Sequence, residues 1–509
     1  MTPLPGSTEE LAAFAALKQQ LAPMYRKMAN DPRAEHTVVV VPSLSFDHRE
    51  LAKVKGVHHY EERLLFFLML LRRPRTRLIY VTSQAMSPTV VDYYLHLLSG
   101  VPTSHAAKRL VHFHCADASA IPLTQKILSR PRLVERIRDS LGHAGSHLIC
   151  FNSTGLERTL AVQLGIPLYA NDPELNDLGS KSGSREVFRD AGVLMPPGFE
   201  RLKDAHEIAQ ALAALKGENP QLERAVVKLN DGFSGEGNAV FKYAGIDASS
   251  DDARIHQIRE RLPFLGFEAP AETWEGYEEK FRQMGGVVEA FVEGPGKKSP
   301  SAQLRINAVG RPEAISTHDQ VLGGPSGQVF LGATFPADAS YRLQIQSAGM
   351  KVADVLARRG ALGRFAVDFV TVPGPDNTFQ HYAIEVNLRK GGTTHPFATL
   401  RFLTDGAYDP TSGEFFTPGG KPRCYFTSDN LESERYIGLL PEDLIDIMVY
   451  HDLHFHSATE RGVVFHLVGA LSQYGKLGVV CIGDNPQQAR FLYRRVVTVL
   501  DQEVGPTPA

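Results

Sequence analysis

Two short segments constrain this chain more than anything else in it. Arg364–Val370 and His381–Leu388 are apolar runs of strand length, joined by a Pro/Gly/Asp turn over Thr371–Asn377. Side chains alternate along a strand, so Val367, Phe369, Ile384 and Val386 turn one way and leave Asp368, Glu385 and Asn387 on the opposite face. If the two strands pair, acids lie side by side. Like charges so placed repel, and a cation is the simplest compensation. Hard oxygen ligands of this kind suit Mg²⁺, one or two ions, which borrow further ligands from phosphate groups.

The rest of the chain has room for what such a face would serve. With 509 residues, 43% of them hydrophobic and 22% charged, several soluble globular units are expected. The formal net charge of −3 carries no excess of Lys and Arg, so nucleic acid is not an expected partner. The apolar stretch Leu64–Leu71 is bracketed by Arg63, Arg72 and Arg73 and is too short for a bilayer, so no membrane is expected either. Cys115, Cys150, Cys424 and Cys481 form no CxxC pair, and no export signal precedes them; a reducing cytoplasm suits both facts.

The order of elements suggests four units. Residues 1–170 alternate strands (Thr37–Pro42, Arg77–Thr82, His147–Asn152) with helical stretches such as Tyr60–Arg73, the pattern of an α/β layer. Residues 171–292 bring a helix over Lys203–Gly217, capped by Asp204 with Glu207 three residues on and ended by Gly217. Strands Arg224–Leu229 and Ala239–Tyr243 follow, joined by the glycine-rich loop Asp231–Asn238. Residues 293–404 hold an antiparallel pair around Gly310–Pro312, a helix over Leu343–Arg359 and the acid-bearing strands. Residues 405–509 form a C-terminal unit, in which Asp484-Asn-Pro486 starts a helix.

Phosphate chemistry is signalled upstream of the acids. Gly232, Gly235 and Gly237, with Ser234 between them, let backbone N–H groups approach phosphate oxygens. Lys228 closes the strand before that loop, where its ammonium can neutralise a phosphate. No GxxxxGK[ST] is present, so this is not a P-loop. The strand ending in Glu289-Ala-Phe-Val-Glu293 could offer backbone groups to adenine. Lys181 stands in Gly-Ser-Lys-Ser-Gly-Ser.

In this order the motifs resemble the ATP-grasp superfamily, and more closely the pheganomycin-type peptide ligases. The likeness is carried by Leu178–Arg185, Val227–Gly237, Gln303–Ile306, Ser316–Gly327, Phe365–Phe369, Ile384–Pro396 and Gly462–Ala470. It implies an N-terminal α/β pre-ATP-grasp domain, a two-lobed α+β ATP-grasp fold and a C-terminal extension. It implies Mg²⁺, with Mn²⁺ as substitute, at Asp368, Glu385 and Asn387. ATP would be held by Lys181, Lys228, the glycine loop and the Glu289–Val292 hinge. The implied reaction joins a small-molecule carboxylate to an amine or peptide through an acyl phosphate, releasing ADP and phosphate. A homodimer fits the reading.

Two departures stand out. Ala366 occupies the place where many relatives carry an Arg, so Arg305 or Arg389 is expected to supply that charge. Gly296 stands near the usual ribose carboxylate, which leaves Glu293 for that role. The oxyanion of the amide step is expected to meet Arg305, Arg389 and the Gly391-Gly392 backbone, with Thr393, Thr394 and His395 lining the acyl site. The competing readings are a phosphotransferase or carboxylase on the same scaffold, and a nucleotide-binding module without turnover.

Overall fold

The computed structural model describes residues 3–31, 33–142, 145–232, 237–246, 250–323, 329–375 and 378–504. The first layer is parallel. Strands β1 (His36–Val41), β2 (Thr76–Thr82), β3 (Leu110–His114) and β4 (Gly145–Cys150) lie in the order β3-β2-β1-β4. Every residue of β1 is buried, as in a sheet covered on both faces. Val39 and Val41 pack with the helices Leu123–Leu128, Pro131–Asp139 and Gly155–Leu164. Val38 and Val40 face a second core, shared with residues as distant as Phe397, Val464 and Val480.

The second layer is antiparallel. Strands β5 (Gly198–Leu202), β6 (Arg224–Leu229), β7 (Asn238–Lys242), β8 (Gly266–Phe267) and β9 (Gly286–Ala290) lie in the order β5-β9-β6-β7-β8. Its helix spans Ala205–Glu218, and Asp204 caps it by accepting from the Glu207 N–H. Gly217 does not end that helix, contrary to the sequence expectation. It makes room for Arg254, whose Nη1 would lie 3.0 Å from a Cβ there and bonds the Ala213 carbonyl.

The third sheet has eight strands. They are β10 (Pro300–Ile306), β11 (Pro312–Gly323), β12 (Val329–Phe335), β13 (Gly363–Pro373), β14 (Phe379–Asn387), β17 (Cys424–Glu432), β18 (Gly462–His466) and β19 (Lys476–Gly483), with a small hairpin of β15 (Ala407–Asp409) and β16 (Glu414–Phe416) beside it. The order β14-β13-β10-β11-β12-β17-β19-β18 carries the sheet from the acid-bearing strands into the C-terminal segment. Strands β11 and β12 pair antiparallel, with 324–328 outside the described residues.

The helical stretch expected at Tyr60–Arg73 is a 3₁₀ helix over Val57–Arg72. Side chains three apart eclipse in that form. Glu62, Leu65, Leu68 and Leu71 recur at that spacing and are all buried. All four cysteines are buried and form no disulfide. Among the described residues no helix is long and apolar enough to cross a membrane.

Candidate active site

The Gly-Ser-Lys-Ser-Gly-Ser segment ties the second layer to the third. Ser180 caps the helix Lys181–Asp190, its Oγ accepting from the Gly183 N–H at 3.0 Å. The Ser182 hydroxyl and N–H donate to Asn230 Oδ1 at 2.7 and 3.0 Å, just beyond β6. Ser184 Oγ accepts from the Val386 N–H on β14 at 3.0 Å. Between these anchors the Lys181 ammonium reaches Glu385 Oε1 at 2.5 Å. Gly183 is required by contact: a Cβ there would lie 2.0 Å from the Asp177 carbonyl oxygen. Gly183→Ala is expected to lower stability by about 1–3 kcal/mol, which denaturant titration checks.

Asp368, Glu385 and Asn387 share a face as expected, but a bulge after Asp368 interrupts the alternation on β14, and Ile384, expected on the opposite face with Val386, lines the crevice instead. Asp368 lies directly opposite Glu385 in the β13–β14 pair, and Asn387 opposite Ala366. Asn387 Nδ2 donates to Asp368 Oδ2 at 2.8 Å, and Gln320 Nε2 from β11 donates to Oδ1 at 3.1 Å. Burial, and then the neighbouring Glu385 charge, push the Asp368 carboxyl up to about 6. Burial would raise Glu385 as well, but Lys181 outweighs it and holds that carboxyl below its ordinary value. Two carboxylates kept this close, with Lys181 the cation at hand, form a donor set that fits a divalent ion carrying phosphates.

In the second layer, Lys228 is also paired. Glu289, 3% exposed, receives Lys228 Nζ at 2.5 Å and Arg185 Nη1 at 2.8 Å. Arg185 is itself buried, and its remaining donors meet Glu200 and the carbonyls of Pro196 and Gly198. Glu289 thus acts through its side chain, as the clamp on Lys228, where the sequence had suggested only backbone contacts. Beyond it, Ala290, Phe291 and Val292 line the crevice. The Ala290 and Phe291 N–H groups are bonded to the Pro197 and Arg224 carbonyls.

These groups border one crevice of about 1130 Å³. Lys181, Lys228, Gly232, Gly237, Glu289, Asp368, Glu385, Asn387, Arg389, Gly391, Gly392 and Thr393 all line it. Ser234 and Gly235 fall outside the described residues.

Four expected residues do not line it. Arg305 shares a strand face with Ser301 and Gln303 but sits at the far end, opposite Arg364, and its Nε donates to Glu313 at 2.9 Å. Glu293 is held outside by Arg224, at 2.6 and 2.8 Å. Thr394 turns inward, where its Oγ1 accepts from the Gly391 N–H at 3.0 Å; that bond also occupies one of the two expected oxyanion donors. His395 is buried against the His466 ring, 3.9 Å between centroids.

Sequence reasoning missed Arg63 and Asp429, which also line the crevice and pair at 3.0 Å across 366 positions of chain. Arg63 had registered only as a charge flanking an apolar run, and nothing local to Asp429 marks it.

Comparison with known proteins identifies the family. A family model described as IQCH-like, ATP-grasp matches residues 173–261 and 267–411, and one described as PGM1 C-terminal domain matches 443–496. The L-propargylglycine–L-glutamate ligase of Streptantibioticus cattleyicolor is 30% identical over 488 residues, 93% of this chain and 95% of that protein. IQ motif-containing protein H of Danio rerio is 24% identical over 97% of this chain, which spans about half (51%) of that longer protein. Among solved structures, an N5-carboxyaminoimidazole ribonucleotide synthetase in its ADP complex superposes with a TM-score of 0.51 at 11% identity, covering 93% of this chain and 98% of its own. A biotin carboxylase from Campylobacter jejuni gives 0.52 at 13%, covering 90% of each chain; both show the fold alone. The chain belongs to the ATP-grasp superfamily, within the pheganomycin-type peptide ligases, and is an ATP-dependent enzyme that forms carbon–nitrogen bonds.

Proposed function

We propose that the crevice phosphorylates a substrate carboxylate with ATP and lets an amine attack the resulting acyl phosphate, giving an amide, ADP and phosphate. The supporting observation is the Asp368–Glu385 pair with Asn387 on Asp368, facing Lys181 and Lys228 within one crevice. Asp368, Glu385 and Asn387 would hold Mg²⁺, or Mn²⁺ in its place, which would supply charge neutralisation at the phosphates of ATP. Phosphoryl transfer is mostly positioning and charge compensation. Lys181 and Lys228 meet the phosphates, and Phe291 and Val292 border the base.

Arg389 takes the place of the missing Arg at position 366. It lies at the metal end of the crevice, packed near the Phe46 and Phe151 rings (5.7 and 6.0 Å), where it can meet the transferring phosphoryl group and the oxyanion. The relative's name joins two amino acids, and we extend that substrate class to this chain. We also assign residues 1–170 as a unit beside two lobes, 171–292 and 293–404, with residues 405–509 extending the sheet of the second lobe.

The test is product analysis over a panel of acids and amines. ADP and phosphate formed only when both partners are present, with the amide seen by mass, is the expected result. AMP would exclude the acyl phosphate. A stable phosphorylated product would point to phosphotransfer, and ATP binding without hydrolysis to a non-catalytic module.

A further inference from the structure

Beyond the metal face the crevice continues between the N-terminal layer and the C-terminal strands. Its lining there includes Lys55, Tyr60, Arg63, Phe151, Asp429, Glu432 and Lys476. Three cations, Lys55, Arg63 and Lys476, stand there with two carboxylates, Asp429 and Glu432. Glu432 is engaged by Lys55 at 3.2 Å and, more loosely, by Lys476 at 3.9 Å. This end therefore has surplus positive charge, which suits an anionic group on a bound molecule.

Arg63 is the best-organised of these cations. Its guanidinium lies 5.2 Å from the Phe151 ring centre and 5.5 Å from that of Tyr60, so its plane is held by packing. Its Nη2 would lie 3.4 Å from a Cβ on Gly392, which places it against the backbone of the acyl site. Asp429 Oδ2 fixes the same nitrogen at 3.0 Å. Asp429 is fixed in turn by His466, whose Nε2 lies 2.8 Å from Oδ1, and the His395 ring packs against His466. All three are buried. A buried four-residue assembly that ends in one guanidinium at the crevice wall is a positioned anion receptor. Arg presents a planar fork that matches a carboxylate.

Resting on the ligase reading above, we propose that Arg63 binds a substrate carboxylate that does not react, with Asp429, His466 and His395 as the positioning residues behind it. The carboxylate belongs either to the amine partner, as in an amino acid or peptide, or to an acid partner with a second carboxyl group. This assigns substrate selection to residues brought by the first and last parts of the chain.

The experiment compares, in wild type and Arg63→Met, each L-amino acid with its carboxamide as amine partner, and dicarboxylic amino acids with their α-amides as acid partner. Phosphate release gives KM for each, and calorimetry with the same compounds gives binding without turnover. In the arm that holds the recognised group, amidation is expected to raise KM or Kd roughly 10- to 100-fold in wild type. Arg63→Met should abolish that preference while leaving the KM for ATP unchanged. Asp429→Asn, which keeps its bond to the His466 imidazole but releases the guanidinium, should weaken the preference in the same arm. Amides used or bound as well as acids in both arms would overturn the assignment, as would an Arg63→Met effect independent of the carboxylate. So would about one equivalent of bound transition metal lost in His466→Ala, since Asp429 would then be a metal ligand. Failure of every pair to release phosphate, with carboxylate-dependent binding retained, counts against the ligase reading and leaves this one standing.

Discussion

Glu385→Gln is expected to lower kcat by roughly 10³-fold, the scale seen when one preorganised group is withdrawn from a developing charge. Its unfolding temperature should move by only a few degrees. The amide oxygen can still accept from Lys181, so the local hydrogen bond survives while the anionic ligand is lost. The loss should be partly relieved by raising the Mg²⁺ concentration. Initial rates across a Mg²⁺ titration, set beside thermal unfolding, check both parts; near-normal rates at low Mg²⁺ would remove Glu385 from the metal site.

Lys228→Met is expected to act on stability as well as on ATP. Glu289 is buried at the crevice wall; burial would raise its carboxyl, but Lys228 and then Arg185 keep it below the ordinary range. Removing one partner of a buried pair costs about 3–5 kcal/mol, and Arg185 should hold the loss near the lower end of that range. Glu289→Gln placed in the same chain should recover much of the stability, because no buried charge is left short of a partner. ATP affinity should not return, because the ammonium is still missing. Denaturant midpoints and KM for ATP, measured on both single variants and the double variant, separate the two effects.

Much of this site was legible in one dimension because its logic is local. Alternation put Asp368, Glu385 and Asn387 on one face, and the observed register sets Asp368 opposite Glu385. The same rule failed for Arg305. It does share the face of Ser301 and Gln303, but alternation says nothing about how far along a strand the crevice extends. Glu293 failed for a related reason: one residue past Val292, it found Arg224 outside the crevice. Arg63 and Asp429 were illegible because their meaning is their meeting, which depends on how the first layer packs on the last strands. The 3₁₀ helix was written in the three-residue recurrence of Glu62, Leu65, Leu68 and Leu71, but a helical stretch reads as α unless that period is sought.

The pairing of β12 with β17 has a consequence for engineering. At Gly332 a Cβ would lie 2.2 Å from the Thr427 carbonyl oxygen, so the two backbones meet where no side chain fits between them. The tail cannot be treated as a cassette: a hybrid that takes its last hundred or so residues from a relative must inherit the donor's Val329–Phe335 edge along with them.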